Sequence, residues 1–112
     1  MTYHLALAAL ADDTRRSLFE RLRDGPVSVG DLAAGMPISR PAVSQHLKVL
    51  DAAGLVTVRS QGTRRLYAVR PEGLAELRYW LEAFWDDVLT AYREALEDDG
   101  TDSREPIRSS GP

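Results

Sequence analysis

The chain has 112 residues, 44% of them hydrophobic, which is enough for one domain with a modest core. It has no cysteine, so disulfides and thiolate metal sites are excluded, and its net charge of -3 by itself argues against a polyanionic partner. No stretch approaches the ~18 apolar residues of a membrane span, and the first residues lack the basic and apolar regions of a secretory signal. We therefore expect a cytoplasmic protein with no membrane partner.

The first third of the chain predicts three short helices. Residues 5–11 are rich in alanine and leucine, and Asp12-Asp13-Thr14 supplies capping oxygens for a second helix that runs to about Asp24. Ser28-Val29-Gly30-Asp31 has the spacing of a capping box, and Gly35 can close the third helix that this box begins. These helices are expected to form a scaffold for the rest of the domain.

A fourth helix is predicted from Arg40 to Ala53. Ser39 is a good N-cap, and Gly54 can adopt the left-handed conformation that ends a helix. The apolar residues of this helix follow i, i+4, i+7 spacing and therefore share one face, which consists of Val43, Leu47 and Leu50. The third and fourth helices, joined by a tight turn, form a helix-turn-helix.

The opposite, polar face of the fourth helix is a candidate for reading duplex DNA. The major groove admits one helix; arginine, glutamine and serine can hydrogen-bond to base edges there, whereas lysine and N-terminal amides suit phosphates. The candidate DNA-binding residues on this helix are Ser39, Arg40, Pro41, Ser44, Gln45 and Lys48. The solvated face of an ordinary amphipathic helix has a similar composition, so this face alone leaves both interpretations open.

Two strands joined by a short turn are predicted next. Leu55 to Ser60 and Thr63 to Val69 are rich in β-branched residues, and Gln61-Gly62 separates them. Arginines at the tip of such a hairpin, or wing, can follow a phosphate backbone or enter a minor groove. Charge that protects a sheet edge is the alternative, and the nearby fourth helix favours DNA binding. The candidate DNA-binding residues of the wing are Arg59, Gln61, Thr63, Arg64 and Arg65.

The charges are distributed unevenly along the chain. Residues 40–70 contain six basic side chains and one acidic side chain, a local balance of +5. Residues 71–112 contain four basic and eleven acidic side chains, a balance of -7. Because phosphate binding depends on charge within a Debye length of ~10 Å, the basic region governs an encounter with DNA.

A long closing helix is predicted from Pro71 to about Glu97, and it carries a broad apolar stripe. A domain this small cannot cover the stripe from both sides, and an exposed stripe would be a liability in a monomer. We therefore predict a homodimer, while completion of the monomer core by the same aromatic residues is the alternative. The predicted dimer contacts are Leu5, Leu77, Trp80, Leu81, Phe84, Trp85, Val88, Leu89 and Tyr92.

These elements give a mainly α fold with a small β-hairpin, in the order of four helices, two strands and a fifth helix. Residues 1–97 form the predicted domain, and residues 98–112 a disordered tail. Together with the motifs in residues 10–16, 38–50 and 54–67, this order resembles the ArsR family of bacterial winged helix-turn-helix repressors. The resemblance implies a cytoplasmic homodimer that binds operator DNA, often that of its own operon. It also implies a dimer contact through the first and last helices.

Many members of that family sense metals, through cysteines on the third helix or through acidic and histidine ligands on the last. This chain has Val-Gly-Asp-Leu-Ala at residues 29–33, and its two histidines are His4 and His46. Soft and borderline cations usually require imidazole or thiolate donors, so we predict no metal site and no cofactor. His46, at the edge of the apolar face, is expected to pack or hydrogen-bond within the fold. The sequence does not identify a small-molecule inducer.

Two other classes of function compete with a DNA-binding regulator. An enzyme would need a nucleophile with its base, a zinc-binding motif or a phosphate loop, and none of the familiar motifs is present in the sequence. A winged helix that binds another protein, as an adaptor or an anti-repressor, remains open because fold alone does not fix function. Salt dependence separates the two, because only DNA binding should weaken steeply as salt rises.

Overall fold

The computed structural model describes residues 3–99 and has the predicted winged helix-turn-helix architecture. The helices are α1 (Tyr3–Ala11), α2 (Asp13–Glu20), α3 (Val29–Ala34), α4 (Arg40–Ala52) and α5 (Pro71–Asp99). The strands are β1 (Val27–Ser28), β2 (Val56–Gln61) and β3 (Arg64–Val69). Asp98 and Asp99, the first two residues of the predicted tail, are instead the last residues of α5, and the rest of the predicted tail lies outside the described residues. Within residues 3–99, no helix combines the length and apolarity that a membrane span requires.

Two compact units divide the chain, with the boundary inside α5 after Arg78. In the first unit, all four early helices and the sheet contribute buried side chains to one core. Val43, Leu47 and Leu50 on α4 are fully buried, which confirms the predicted apolar face. Burial of one such side chain contributes about 1.5–3 kcal/mol, so this face fixes the orientation of α4 and leaves its polar face outward. The second unit contains the remainder of α5.

The sheet has three strands in the order β1-β3-β2, all antiparallel to their neighbours. The sequence pattern predicts only the β2-β3 hairpin, so the predicted strand number is wrong. In β1, Val27 is opposite Tyr67 and Ser28 is opposite Leu66 on β3. A strand of two residues shows no alternation of its own, and it forms only because β3 offers a free edge.

Serine hydroxyls begin two of the helices as predicted. The Oγ of Ser28 accepts a hydrogen bond from the Asp31 amide at 3.1 Å, and the Oγ of Ser39 accepts one from the Ala42 amide at 3.2 Å. Each bond satisfies one of the free N–H groups in a first helical turn. Ser28 is therefore both the last residue of β1 and the N-cap of α3, which ties the sheet directly to the helix-turn-helix.

Asp12 caps α2 and gives the fold one pH-sensitive contact. The Arg15 amide donates to Asp12 Oδ2 at 2.9 Å, and this hydrogen bond, aided by the positive charges of Arg15 and His46, lowers the pKa of Asp12 from 3.8. Because folding favours the ionised form, the contribution of this cap is present above the ordinary pKa. It is lost as the pH falls through the lowered value.

Helix α2 ends at Glu20, earlier than the predicted end near Asp24. The chain then continues in turns to Gly25, which has a positive φ of 134°. The side chain of Arg21 donates to the carbonyl oxygens of Leu32 at 2.6 Å and Asp31 at 3.2 Å, close to the C-terminal end of α3. A cation is favourable at that end of a helix, so a tertiary contact accompanies the early termination.

The start of α5 is held by a close backbone approach. The Arg70 amide donates to the carbonyl of Leu55 at 2.8 Å, and the Arg70 guanidinium donates to the carbonyl of Gly54 at 3.3 Å. Gly73 is buried in the first turn of α5, where a Cβ atom would lie 2.0 Å from the Gly54 oxygen. Gly54 has a φ of 78°, a region that favours glycine. This glycine pair positions α5 after the sheet.

Candidate nucleic-acid interface

Helix α4 presents the predicted polar face to solvent. Its predicted DNA-binding residues are exposed, apart from Ser44, which is half-buried. The buried seam occupies the other side of the helix, so Gln45 and Lys48 project away from the core. His46 lies half-buried between the two faces, at the edge where the sequence places it. The geometry leaves α4 free to enter a groove.

The wing carries its polar residues at and beside the turn. Gln61 is opposite Arg64 and Ser60 is opposite Arg65, and the turn between the strands contains Gly62 with a φ of 65°. All five predicted DNA-binding residues of the wing are exposed. Because side chains alternate along a strand, Arg64 and Arg65 project to opposite faces of the hairpin. These two arginines are neighbours in the sequence, but their side chains point in different directions from the wing.

A recess of about 350 Å³ brings the helix-turn-helix and the wing together. We call it the basic recess; Arg40 at the start of α4 and Thr63, Arg64 and Arg65 on the wing line it, and α3 closes it with Gly30 and Asp31. The Arg40 guanidinium lies over Gly30, at 3.7 Å from the position that a Cβ atom would take. Three predicted DNA-binding arginines therefore line one concave surface, Arg40 and Arg64 with their guanidinium groups.

Asp31 also lines this recess, although the sequence pattern did not identify it as a site residue. Its Oδ2 lies 3.4 Å from Nη2 of Arg64, in an ion pair whose side chains remain 71% and 56% exposed, respectively. The partners are 33 positions apart, and the capping-box spacing explains only the backbone role of Asp31. No local pattern could reveal a contact that depends on how α3 packs beside β3.

The basic region also contains an arginine with an internal role. Arg70 is half-buried and donates to the Gly54 carbonyl, so its position is fixed by the junction with α5. The local balance of +5 therefore overstates the number of cations that are available to a ligand. Arg40, Lys48, Arg59 and Arg65 have exposed side chains, and Arg64 is exposed while paired.

The apolar stripe on α5 is largely exposed in the single chain. Phe84 and Trp85 are 57% and 61% exposed, and Phe84 stacks on the half-buried Trp80 with ring centroids 5.9 Å apart. The other predicted contacts on α5 are half-buried at Leu77 and exposed at Leu81, Val88, Leu89 and Tyr92.

The first unit also has an apolar surface, which lies beside Leu5. Leu5 is 55% exposed and borders a shallow recess of about 200 Å³ between α1 and α4. Most of the other lining residues are alanine or valine, including Ala8, Val49 and Ala52. Within the described residues, no group of three His, Cys, Asp or Glu side chains is arranged to hold a metal ion.

Comparison with known proteins agrees with this architecture. The helix-turn-helix domain family matches residues 10–59. The HTH-type transcriptional regulator Rv2034 of Mycobacterium tuberculosis is 54% identical over 98 residues, which cover 88% of this chain and 92% of that protein. The arsenic resistance transcriptional regulator ArsR1 of Pseudomonas putida is 32% identical over 100 residues, which cover 88% of this chain and 75% of that protein. Transcriptional repressors of Bacillus subtilis and M. tuberculosis also match.

The solved structures include a homodimeric winged helix-turn-helix DNA-binding domain, Mb0332 of Mycobacterium bovis, described as a possible ArsR-family transcriptional regulator. Its solution structure aligns with a TM-score of 0.62 at 27% identity, covering 79% of this chain and 82% of that one. The fold and these matches together show that the chain belongs to the ArsR family of DNA-binding winged helix-turn-helix transcriptional regulators.

Proposed function

We propose that this protein is a homodimeric repressor that binds an inverted-repeat operator in the bacterial cytoplasm. The observation that carries the proposal is that Arg40, Arg64 and Arg65 all line the basic recess, beside the exposed polar face of α4. Helix α4 and the wing then contact the same duplex. Helix α4 reads base edges in the major groove, and the wing contacts the backbone or a neighbouring minor groove. Bound at a promoter, the protein excludes polymerase, and its own operon is a natural target.

Dimerisation supplies the second half of this proposal. The exposed stripe on α5 and the exposed Leu5 on α1 are apolar surfaces that a second copy would cover. A two-fold symmetric pair presents two α4 helices, which match half-sites separated by one or more turns of DNA, ~34 Å each. Support comes from the homodimeric state of the Mb0332 domain.

Binding to DNA from the protein's own upstream region tests the proposal. We expect fluorescence anisotropy to show affinity that falls steeply between about 50 and 200 mM salt, by about 1000-fold for a protein with six or more phosphate contacts. A random duplex of equal length provides the comparison for specificity. Binding that hardly depends on salt, or no binding at all, would favour the protein adaptor instead.

Base reading by α4 can be tested with Gln45→Ala. The substitution should weaken operator binding by about 1–3 kcal/mol and weaken binding to random DNA much less, because base contacts exist only on the operator. Anisotropy titrations on both duplexes at one salt concentration measure the difference. Equal losses on the two duplexes would show that Gln45 contacts phosphates only.

Arg65→Ala tests the phosphate contacts of the wing. Because a phosphate contact is independent of sequence, affinity should fall by the same factor on operator and random DNA, and the salt slope should decrease by about one. Arg93→Ala, which removes an exposed arginine from α5, is the matched control and should leave both quantities unchanged. A loss of affinity for the operator alone would show that Arg65 contacts bases.

A further inference from the structure

The basic recess contains a carboxylate where a DNA-binding surface would be expected to have none. Asp31 shares the lining of the recess with Arg40, Arg64 and Arg65, and it pairs with Arg64 at 3.4 Å. Its charge has the same sign as a DNA phosphate, so it repels the proposed ligand. A residue with this effect needs a physical explanation.

Fold stability does not supply that explanation. Both partners of the Asp31–Arg64 pair are more than half exposed, and such pairs contribute little to folding. The cap of α3 uses the Ser28 hydroxyl and the Asp31 backbone amide, which any residue at position 31 would provide. The carboxylate is not part of this cap, and it adds to the fold only the modest interaction of a negative charge with the N-terminal end of α3.

The geometry of the recess resembles that of an occupied anion site. A carboxylate and a phosphate both present paired acceptor oxygens to a guanidinium fork, so one can replace the other as the partner of Arg64. The Arg40 guanidinium, which lies over Gly30, adds a second cation to the same lining, and Thr63 and Arg65 also border the recess. The residues that line the recess carry three positive charges and one negative charge, an excess of two.

We propose that the basic recess is a seat for one backbone phosphate of the bound duplex, and that the Asp31 carboxylate occupies this seat in the free protein. When DNA binds, the Arg64 guanidinium leaves the Asp31 carboxylate and pairs with the phosphate. The inference rests on the proposed DNA-binding function and adds a specific consequence to it. Asp31 lowers the affinity for every duplex, through Arg64, and so restrains binding to DNA that lacks compensating base contacts.

Asp31→Asn is the first test, because it removes the charge and preserves the side-chain shape. We expect affinity to rise about 3- to 5-fold at low salt on operator and random DNA alike, with thermal unfolding unchanged. Asp51→Asn makes the same change of charge at an exposed position on α4 outside the recess, and it should have a smaller effect. An unchanged or weakened affinity for Asp31→Asn would overturn the proposal.

A double-mutant cycle tests whether the effect passes through Arg64. In an Arg64→Gln background, Asp31→Asn should give no further gain, because the arginine that it would release is absent. The same gain in both backgrounds would identify a general charge effect and overturn the exchange. If the unaltered protein shows no salt-dependent DNA binding, the proposed function itself fails. If it binds DNA but Asp31→Asn gives no gain, only the phosphate seat fails.

A free anion is the competing occupant, and it can be tested directly. Inorganic phosphate is titrated into the free protein at constant ionic strength while the Arg64 guanidinium resonance is followed by NMR. We expect the resonance to shift when duplex is added and to remain in place at millimolar phosphate. Saturable binding of inorganic phosphate at Arg64, with competition against DNA, would assign the recess to a small anionic effector instead.

Discussion

Phe84→Glu should convert the protein to monomers and reduce operator affinity by at least about 100-fold. The loss is large because a dimer places its second α4 on the adjacent half-site without a second encounter, and such linkage is typically worth about 100- to 10000-fold in affinity. A monomer keeps its contacts to one half-site only. Sedimentation velocity measures the oligomeric state, and anisotropy on the full operator and on a single half-site measures the affinity.

The position is well suited to this test because Phe84 is 57% exposed within one chain and stacks on Trp80. A charge there has no structural cost in an isolated chain, whereas in a dimer it would be buried against an apolar surface without a partner. Thr90→Glu adds the same charge at an exposed position about 240° around α5 from Phe84, opposite the stripe. This control should remain dimeric.

Binding to a single half-site distinguishes loss of the dimer from damage to the fold of the chain. Phe84→Glu should bind a single half-site as well as one subunit of the unaltered protein does, because the residues of α4 and the wing are untouched. A stable dimer for Phe84→Glu would show that the stripe is not the interface. A monomer that has also lost half-site binding would show that the substitution damages the fold of the chain.

Local patterns predicted most of the fold because its long elements depend on local physical rules. The i, i+4, i+7 spacing of Val43, Leu47 and Leu50 and the N-cap at Ser39 fixed α4, and the structure confirms both features. The resemblance to the ArsR family is likewise confirmed. The assignment of individual residues to DNA and to the dimer contact remains a prediction, since exposure shows availability and does not show contact.

The features that the sequence did not reveal are all tertiary. Strand β1 forms only because β3 offers an edge, and the turns after Glu20 accompany a contact between Arg21 and the end of α3. The Asp31–Arg64 pair joins residues 33 positions apart, and Asp31 also has a local role, because its backbone amide donates to Ser28 in the cap of α3. A residue with a sufficient local role gives no sign of a second role, so the composition of the basic recess became apparent only in three dimensions.

No local pattern explains the glycine at position 73. Gly73→Ala should lower the free energy of unfolding by about 2 kcal/mol or more. In the first turn of a helix, alanine is ordinarily more favourable than glycine. At this site the added methyl group would lie 2.0 Å from the carbonyl oxygen of Gly54 and 2.9 Å from its carbon. These are backbone atoms, which cannot rotate away as the end of a flexible side chain can.

Relief of that overlap requires either α5 or the end of α4 to move, and both movements are costly. The Gly54 carbonyl accepts a hydrogen bond from Arg70, and the neighbouring Leu55, fully buried, anchors the chain in the core. Gly30→Ala is the matched control, because its methyl group would meet only the Arg40 guanidinium at an ordinary 3.7 Å. We expect that control to unfold at or above the parent's denaturant midpoint, with helix propensity adding up to about 1 kcal/mol. Equal midpoints for Gly73→Ala and the parent would mean that α5 begins farther from Gly54 than the structure places it.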